Sequence, residues 1–273
     1  MLAFCLRAMH WSLLTQPLPG GVARLWFSDL APLRSPELAA EYQRLLAPSE
    51  SARQARFHFE KDRDLFLLAH ALVRLSLSQV WPLPPEQWEF TAGEHGRPEV
   101  VLPPGAPALR FNLSHTGGLV MCGLTLGHDL GVDTEEIEPS RGTVEIANRF
   151  FSAVESRSLQ RLEGKAKVDR FFDFWTLKEA YIKAKGAGLS LPLDRFAFDF
   201  EGARLRATFE APLTDRPETW QFQLFAPTDH HRAAVAVDHG PGAPLRVEAH
   251  WTVPGLTQSP LLSGPIASSM GGG

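Results

Sequence analysis

The sequence contains little cysteine, no long apolar run and no strong charge imbalance. Its 273 residues include two cysteines, Cys5 and Cys122, which are too far apart for a C-x-x-C motif. A disulfide framework is therefore not expected, and a reducing compartment fits. No apolar run approaches about 20 residues, so no membrane-spanning helix is predicted. The net charge of -4 gives no electrostatic reason to expect binding to nucleic acid.

The first dozen residues are apolar, but Arg7, His10 and Trp11 interrupt them, and they lack a clear small-residue cleavage site. A secretory signal peptide is therefore not predicted. We expect a cytoplasmic protein. The length allows one large domain or two small ones, with enough apolar residues to build a core.

A long helix is predicted to end in the stretch from Phe171 to Gly188, which reads F-F-D-F-W-T-L-K-E-A-Y-I-K-A-K-G-A-G. Trp175, Glu179 and Lys183 follow one another at steps of four residues. This spacing places an indole, a carboxylate and an ammonium on one helix face. Gly186 would stop the helix. Taken alone, the charged pair is either a surface ion pair of little consequence or part of a site.

Two carboxylates lie near the midpoint of the chain, in the stretch G-V-D-T-E from Gly131 to Glu135. Residues two apart in a strand share a face, so Asp133 and Glu135 would point the same way. Like charges on one face repel each other unless a cation lies between them, and carboxylate oxygens suit Mg²⁺. The alternative is an exposed strand edge before the turn at Pro139.

Several residues could contact an anion because they carry positive charge or small hydrogen-bond donors: Arg53, Arg56, Arg97, Ser114 and His115. The first two lie in the cation-rich half of a helix predicted over residues 51–80. The serine and the histidine follow a short predicted strand and begin a glycine-rich loop, which would expose backbone N–H groups to a phosphate. The simpler interpretations are a solvated charged face, a loop arginine and a structural histidine.

In their order and spacing, these motifs resemble the paired signatures of the 4′-phosphopantetheinyl transferase superfamily, in its larger, Sfp-type form. The two signatures are G-V-D-T-E (131–135) and W-T-L-K-E-A-Y-I-K (175–183). The similarity continues through G-R-P (96–98), F-N-L-S-H-T (111–116), N-R-F-F-S-A-V-E (148–155) and K-G-A-G-L-S-L-P (185–192). It covers roughly residues 23–237.

The resemblance implies an α+β fold of two similar α/β-type halves related by a pseudo-twofold axis. Each half would be a small sheet packed with a long helix, and a ligand cleft would lie between the halves. We therefore expect an N-terminal arm (1–22), an N-terminal subdomain (23–127), a C-terminal subdomain (128–253) and a disordered tail (254–273). A monomer is expected, also by resemblance.

The same resemblance implies a magnesium-dependent enzyme, a holo-[acyl-carrier-protein] synthase, with coenzyme A as co-substrate. It would move 4′-phosphopantetheine from coenzyme A to a serine hydroxyl of an acyl or peptidyl carrier protein and release adenosine 3′,5′-bisphosphate. The expected partners are coenzyme A and carrier proteins, with neither nucleic acid nor membrane. Carriers of fatty acid, polyketide and nonribosomal peptide synthesis all stay open.

By the family pattern, the acidic magnesium site corresponds to Asp133, Glu135 and Glu179. Glu179 would also take the serine proton, directly or through water, and Lys183 would stabilise charge on the leaving group. The coenzyme A contacts correspond to Arg53, Arg56, Arg97, Ser114, His115 and Lys183. One departure concerns the nucleotide phosphate, because Glu50 stands where some relatives carry the first of two basic residues.

Two other functions compete with this prediction. A non-catalytic module that binds coenzyme A or a carrier protein would keep the fold and lose activity, but the three carboxylates and Lys183 are all present. A different Mg²⁺ enzyme, such as a phosphohydrolase, could use the same acidic cluster. It gives no reason for the G-R-P and S-H-T elements, and it would not require a carrier protein.

Overall fold

The computed structural model describes residues 16–93, 96–138, 147 and 149–269, and it shows a mixed α+β fold. The helices in these ranges are α1 (Pro36–Leu45), α2 (Pro48–Gln54), α3 (Glu60–Val80), α4 (Ala153–Gln160) and α5 (Gly164–Lys185). Short 3-10 turns occupy Ala31–Arg34, Pro85–Gln87, Gly188–Ser190, Leu193–Arg195 and Pro217–Thr219. Among the described helices, none is long and apolar enough to cross a lipid bilayer.

The strands form two large sheets and one small hairpin. In chain order they are β1 (Val22–Asp29), β2 (Phe90–Ala92), β3 (Pro98–Val100), β4 (Leu109–Thr116), β5 (Leu119–Leu126), β6 (Leu130–Glu136), β7 (Phe196–Glu201), β8 (Arg204–Phe209), β9 (Trp220–Phe225), β10 (His231–Asp238), β11 (Arg246–Val253), β12 (Thr257–Pro260) and β13 (Ala267–Ser268). The first sheet has the order β12-β11-β1-β5-β4, and the second has the order β6-β10-β9-β13-β8-β7. Strands β2 and β3 pair only with each other within the described residues.

Helix α3 covers one face of the first sheet. Side chains alternate along β1, so that Val22 and Trp26 join the core beneath α3, whereas Leu25 and Phe27 join the core between the two sheets. Both faces of β1 are covered, so every residue from Val22 to Ser28 is buried. Each of these buried side chains stabilises the fold by roughly 1.5–3 kcal/mol.

Helix α5 covers the outer face of the second sheet in the same way. Phe222 and Leu224 of β9, together with Ala234 and Ala236 of β10, belong to the core that α5 completes. The alternate residues Val235 and Val237 face the first sheet instead. The molecule thus has four layers in the order α3, first sheet, second sheet, α5.

The helix predicted over residues 51–80 is two helices. α2 ends at Gln54 and α3 begins at Glu60, with a turn between them. Arg63 stabilises this break, because its Nη1 donates to the carbonyl oxygens of Phe57 at 2.9 Å and His58 at 3.0 Å. The apolar positions at helix spacing, from Phe66 to Val80, all lie within α3, so the pattern carried no information on where that helix begins.

The predicted disordered tail is wrong for residues 254–269. Strand β12 pairs with β11, β13 pairs with β9, and Oγ of Ser269 accepts a hydrogen bond from the amide of Phe222 at 2.9 Å. Strand β11 lies parallel to β1 in the first sheet, with Val22 opposite Arg246. The segment expected as the C-terminal subdomain, 128–253, therefore contributes a strand to the first sheet. Residues 270–273 and most of the expected N-terminal arm lie outside the described residues.

Candidate active site

A glycine allows strand β6 to lie directly against helix α5. A Cβ atom added at Gly131 would lie 2.0 Å from the carbonyl oxygen of Ala180 and 2.3 Å from the amide nitrogen of Ala184. Any larger residue would push the strand off the helix. Residues two apart in a strand share a face, so this close approach also turns Asp133 toward the last turns of α5.

An ion pair between β6 and α5 forms the centre of the site. Nζ of Lys183 lies 2.6 Å from Oδ1 of Asp133 and donates to Oγ of Ser114 over 2.8 Å. The Ser114 hydroxyl in turn donates to the same Asp133 oxygen over 2.9 Å. Asp133 is only 3% exposed, whereas Lys183 keeps partial exposure. The fold thus brings three of the predicted site residues into mutual contact.

The ion pair lies where the edge strands of the two sheets meet. The backbone amides of Val132 and Thr134 on β6 donate to Oδ1 of Asn112 at 2.9 Å and to Oγ of Ser114 at 3.2 Å on β4. The two donors are two residues apart on β6, and the two acceptors are two residues apart on β4. Side-chain oxygens of β4 therefore take the place of the backbone carbonyls that would pair with β6 in a continuous sheet. Sequence motifs did not single out Asn112, although its period-two spacing from Ser114 was an available signal.

Glu135 is the second acidic residue of β6 in the predicted metal site. The indole of Trp175 on α5 fixes its position. Nε1 of Trp175 donates to Oε1 of Glu135 over 3.0 Å, and the indole stacks 6.3 Å from the ring of Phe171. The helix row of Trp175, Glu179 and Lys183 therefore faces the strand row of Asp133 and Glu135. This juxtaposition follows from the two spacings, four on the helix and two on the strand.

Burial changes the proton affinity of the two central carboxyl groups. Burial raises the pKa of Asp133, and the nearby Lys183 ammonium and Ser114 hydroxyl act in the opposite direction. Burial likewise raises the pKa of Glu179, and the negative charge of Asp133 adds to the rise. A carboxylate with a raised pKa accepts a proton more readily near neutral pH.

The donor set fits a hard cation such as Mg²⁺ without forming a complete cage. Oδ2 of Asp133 is buried and has no hydrogen-bond partner in the described part of the chain. In that same part, no group of three or more His, Cys, Asp or Glu side chains is arranged to hold a metal ion. Mg²⁺ commonly takes one or two carboxylates and completes its coordination with water and phosphate oxygens. Asp133, with Glu135 and Glu179 beside it, matches that habit.

A cleft of about 310 Å³ runs beside the ion pair. Arg97 and Asn112 line it from the first half of the chain, and Glu179 and Lys183 line it from α5. It therefore presents two cationic side chains and one carboxylate to a bound molecule. A concave site with a few polar groups on apolar walls is the usual form of a small-molecule site.

Arg97 ties the loop before β3 to the second half of the chain. Its Nη1 donates to the carbonyl oxygen of Ala184 over 3.1 Å, and its Nη2 donates to that of Leu130 over 3.3 Å. The Ala184 carbonyl belongs to the last turn of α5, where carbonyl groups have no hydrogen-bond partner within the helix. Nε of Arg97 is buried without a hydrogen-bond partner among the described residues. A contact between Arg97 and a nucleotide stays a prediction.

Ser114 and His115 lie in strand β4 rather than in the predicted loop. The strand continues to Thr116, and Gly117 and Gly118 close the β4–β5 hairpin with φ values of 53° and 89°. Both values are left-handed, which favours glycine in a two-residue turn. His115 is exposed, but surrounding protein still removes enough water to lower its pKa, and the Lys183 charge lowers it further.

The predicted basic residues of α2 and of the turn after it are not among the described residues that line this cleft. Arg53 and Arg56 are exposed, and the Arg53 guanidinium lies 5.7 Å from the ring centre of Phe66. Glu50, the departure from the family pattern, forms a 2.7 Å ion pair with Nη2 of the buried Arg74. The residue at this position therefore fastens α2 to α3.

Two family descriptions match separate parts of the chain. The "4′-phosphopantetheinyl transferase superfamily" matches residues 129–236, and the "4′-phosphopantetheinyl transferase, N-terminal" family matches residues 35–124. The first range contains the acidic pair together with Glu179 and Lys183. The second contains Ser114 and the arginine-bearing loop. The residues in contact across the two sheets thus come from both matched ranges.

Individual relatives agree with the family matches. The 4′-phosphopantetheinyl transferase Sfp of Bacillus subtilis is 34% identical over 163 residues, which cover 60% of this chain and 70% of its own. The 4′-phosphopantetheinyl transferase HetI of Nostoc is 32% identical over 192 residues, 70% of this chain and 78% of its own. The solved holo-[acyl-carrier-protein] synthase of Thermotoga maritima covers 40% of this chain and 61% of its own at 20% identity, with a TM-score of 0.33 that supports no argument. From the sequence matches, this chain belongs to the 4′-phosphopantetheinyl transferase superfamily of enzymes.

Proposed function

We propose that this chain transfers 4′-phosphopantetheine from coenzyme A to a serine hydroxyl of acyl or peptidyl carrier proteins, with Mg²⁺ as cofactor. The observation that supports this best is the contact of Asp133, Lys183 and Ser114 beside a cleft lined from both halves of the chain. The serine oxygen would bond to the phosphorus that carries pantetheine. The bond from that phosphorus to the bridging oxygen would break, and adenosine 3′,5′-bisphosphate would leave with the electron pair.

Binding of coenzyme A would rest on cationic groups around the cleft. Arg97 and Lys183 line it and offer donors to phosphate oxygens. His115 lies next to Ser114 on β4, the strand whose Asn112 lines the cleft. Arg53 on α2 and Arg56 in the turn after it are exposed and would meet a phosphate at the far end of the nucleotide. We assign these residues and Ser114 to coenzyme A binding.

We assign the metal site to Asp133, Glu135 and Glu179. When bound, Mg²⁺ would neutralise negative charge on the pyrophosphate and so favour attack by an oxygen nucleophile. The protein holds the ligands ready for it: Trp175 fixes Glu135, and the packing of Gly131 fixes Asp133. The ammonium of Lys183, which pairs with Asp133, would then also interact with the substrate phosphates.

Proton transfer would fall to Glu179. This carboxyl lines the cleft, and burial together with the charge of Asp133 raises its pKa. It would accept the serine proton, directly or through a water molecule, as the oxygen attacks. Lys183, four residues along the same helix face, would stabilise the charge that develops on the leaving oxygen.

We further assign residues 23–127 and 128–253 to two subdomains that share this cleft, with β11 inserted into the first sheet. The chain would act in the cytoplasm as a monomer, on protein and nucleotide substrates, without nucleic acid or membrane as partners. Scarcity of cysteine and the absence of a strong net charge support these choices.

Intact mass spectrometry tests the proposal. An apo carrier protein is incubated with this chain, coenzyme A and Mg²⁺, with and without a chelator. We expect the carrier to gain the mass of one phosphopantetheinyl group, and the chelator to abolish the gain. Coenzyme A binding without any gain across several carrier types would favour the non-catalytic binding module. Neither gain nor binding would overturn the assignment.

A further inference from the structure

An arginine lies directly across the sheet from one of the proposed metal ligands. Arg232 on β10 is the register partner of Glu135 on β6. Opposed residues of an antiparallel pair have Cβ atoms about 4.5–5.5 Å apart and share a face. Contacts show that this face is the one covered by α5, because Glu135 accepts from Trp175 and Arg232 donates to Asp173. A full positive charge is therefore anchored next to a carboxylate that is proposed to bind Mg²⁺.

The guanidinium of Arg232 is directed to the helix. Its Nε donates to Oδ1 of Asp173 over 2.7 Å, and its Nη2 lies 3.5 Å from Oδ2 of Asp169. Among the described residues, these two carboxylates on α5 account for the ion pairs of Arg232. The side chains of Arg232 and Asp173 are only 11% and 10% exposed, so water screens their attraction weakly.

Burial and neighbouring cations act in opposite directions on the Asp173 carboxyl. Burial raises the pKa of its carboxyl, and the Arg232 guanidinium counteracts that rise. Arg170 adds a second cation, with its Nε 3.4 Å from Oδ2 of Asp173. The apolar core beneath α5 also packs the helix on the sheet, and a buried ion pair is by itself weak evidence for a stabilising role.

The alternative partner for Arg232 has a clear cost for the site. Cross-strand pairs of opposite charge attract each other, and an arginine side chain is long enough to reach a glutamate on the adjacent strand. A guanidinium bound to Glu135 would occupy oxygens that a divalent cation uses and would cancel the negative charge that attracts it. The helix carboxylates remove this competition.

We infer that Asp173 is a positioning residue that holds Arg232 against α5 and thereby keeps its guanidinium off Glu135. This inference rests on the proposed function, since it assumes that Glu135 serves a metal ion. It assigns Asp173 no contact with substrate or metal. The Asp173–Arg232 pair would thus keep the proposed site open to a metal ion rather than to a guanidinium. Neither residue belongs to the two signature motifs.

A merely structural role for Asp173 makes a different prediction. If the pair only fastened α5 to β10, then Asp173→Asn would lower stability, and removal of Arg232 as well would not restore metal affinity. If Asp173 holds Arg232 away from Glu135, Asp173→Asn frees the arginine to compete with the metal. Removing Arg232 in the same chain then removes the competitor and restores affinity.

Mn²⁺ titration followed by electron paramagnetic resonance measures this directly, on the full chain with coenzyme A present and without a carrier protein. Asp173→Asn is expected to weaken Mn²⁺ binding about tenfold, the size of one good ion pair. Arg232→Gln and the double variant should both stay within about twofold of the wild type. Thermal unfolding of each variant reports its folding separately.

Several results would overturn the inference. Unchanged Mn²⁺ affinity in Asp173→Asn would do so, and so would a double variant as weak as the single one. If Asp173→Asn does not fold, Asp169→Asn removes the more exposed anchor of Arg232 and should weaken binding by clearly more than the roughly twofold range allowed for Arg232→Gln; a change within that range would equally overturn the inference. A wild type that binds no Mn²⁺ would instead remove the metal site of the proposed function, and this inference with it.

Discussion

Nζ of Lys178 lies 2.9 Å from Oε2 of Glu155, and neither side chain is exposed to solvent. Lys178 also donates to the carbonyl oxygens of Leu193 and Phe196, both at 2.7 Å. Glu155 completes the capping box at the start of α4 and accepts from the amide of Phe198 at 3.0 Å. One buried ion pair therefore joins α4, α5 and β7, on the opposite side of α5 from Lys183.

Breaking this pair should destabilise the fold strongly. Lys178→Met is expected to lower the free energy of unfolding by about 3–5 kcal/mol, because Glu155 stays buried without its counter-ion. Equilibrium urea unfolding measures the change. The exposed pair of Arg206 and Glu201 provides the control, since Arg206→Gln should cost less than about 1 kcal/mol. Equal costs for the two variants would contradict this account.

Gly131 should not tolerate a methyl group. A Cβ there meets backbone atoms of α5 at 2.0 Å and 2.3 Å, which a side-chain rotation cannot relieve. We expect Gly131→Ala to lose at least about 3 kcal/mol of stability and most of the transferase activity. Gly20→Ala is the matched control, because no atom lies within 4 Å of its added Cβ. Melting temperature and carrier modification are measured together.

Glu179→Gln should keep the fold and lower kcat by about 10²–10⁴-fold. The pH profile gives the sharper test. A general base works only when deprotonated, so wild-type kcat should rise with pH through the pKa of Glu179. Burial and the charge of Asp133 raise that pKa in the metal-free site, and bound Mg²⁺ would lower it. The residual activity of Glu179→Gln should lack this rise. A variant that keeps the same ascending limb would show that another group takes the proton.

Lys183→Ala should slow transfer more than it weakens coenzyme A binding. Its ammonium contacts Asp133 and Ser114 and faces the cleft, where it can follow charge that develops during the reaction. We expect a fall in kcat of about 10²–10³-fold with a much smaller change in the dissociation constant for coenzyme A. Single-turnover kinetics and calorimetry separate the two quantities. The reverse pattern would make Lys183 a binding residue only.

Glu50 should give the fold a stability that acid removes. Burial raises the pKa of its carboxyl, but hydrogen bonds from His70, the amide of Ala47 and Arg74 outweigh that effect and bring the pKa to about 2. A depressed folded-state pKa stabilises the protein above the unfolded value and loses that stability as pH falls toward 2. The stability difference between the wild type and Glu50→Gln should therefore shrink between about pH 5 and pH 2. A constant difference across that window would rule out the ion pair as its source.

Much of the site was predictable because its residues lie within two short segments. The spacing of Glu179 and Lys183 gave one helix face, and that of Asp133 and Glu135 gave one strand face. Gly186 adopts φ 63° and ends α5 as the motif indicates. The geometry of neighbouring residues determines these features, so short sequence segments are enough to predict them.

Other features depend on contacts between distant segments, so local patterns alone did not reveal their roles. Asn112 matters because an edge strand of the other sheet lies beside it. Asp173 looks like a polar residue among aromatics until β10 places Arg232 opposite it. The tail after residue 253 is rich in small and polar residues, and its strands form only because β11 and β9 offer open edges.

The parallel pairing of β11 with β1 determines when the first sheet can be completed during translation. A ribosome releases β1, β4 and β5 long before it releases Arg246–Val253, so β1 emerges with one edge lacking its final neighbour. The first sheet can be completed only after these late residues have been synthesised, and β1–β11 is the pairing with the largest sequence separation among the described strands. Chains that stop before Arg246 would therefore lack the strand that pairs with the outer edge of β1.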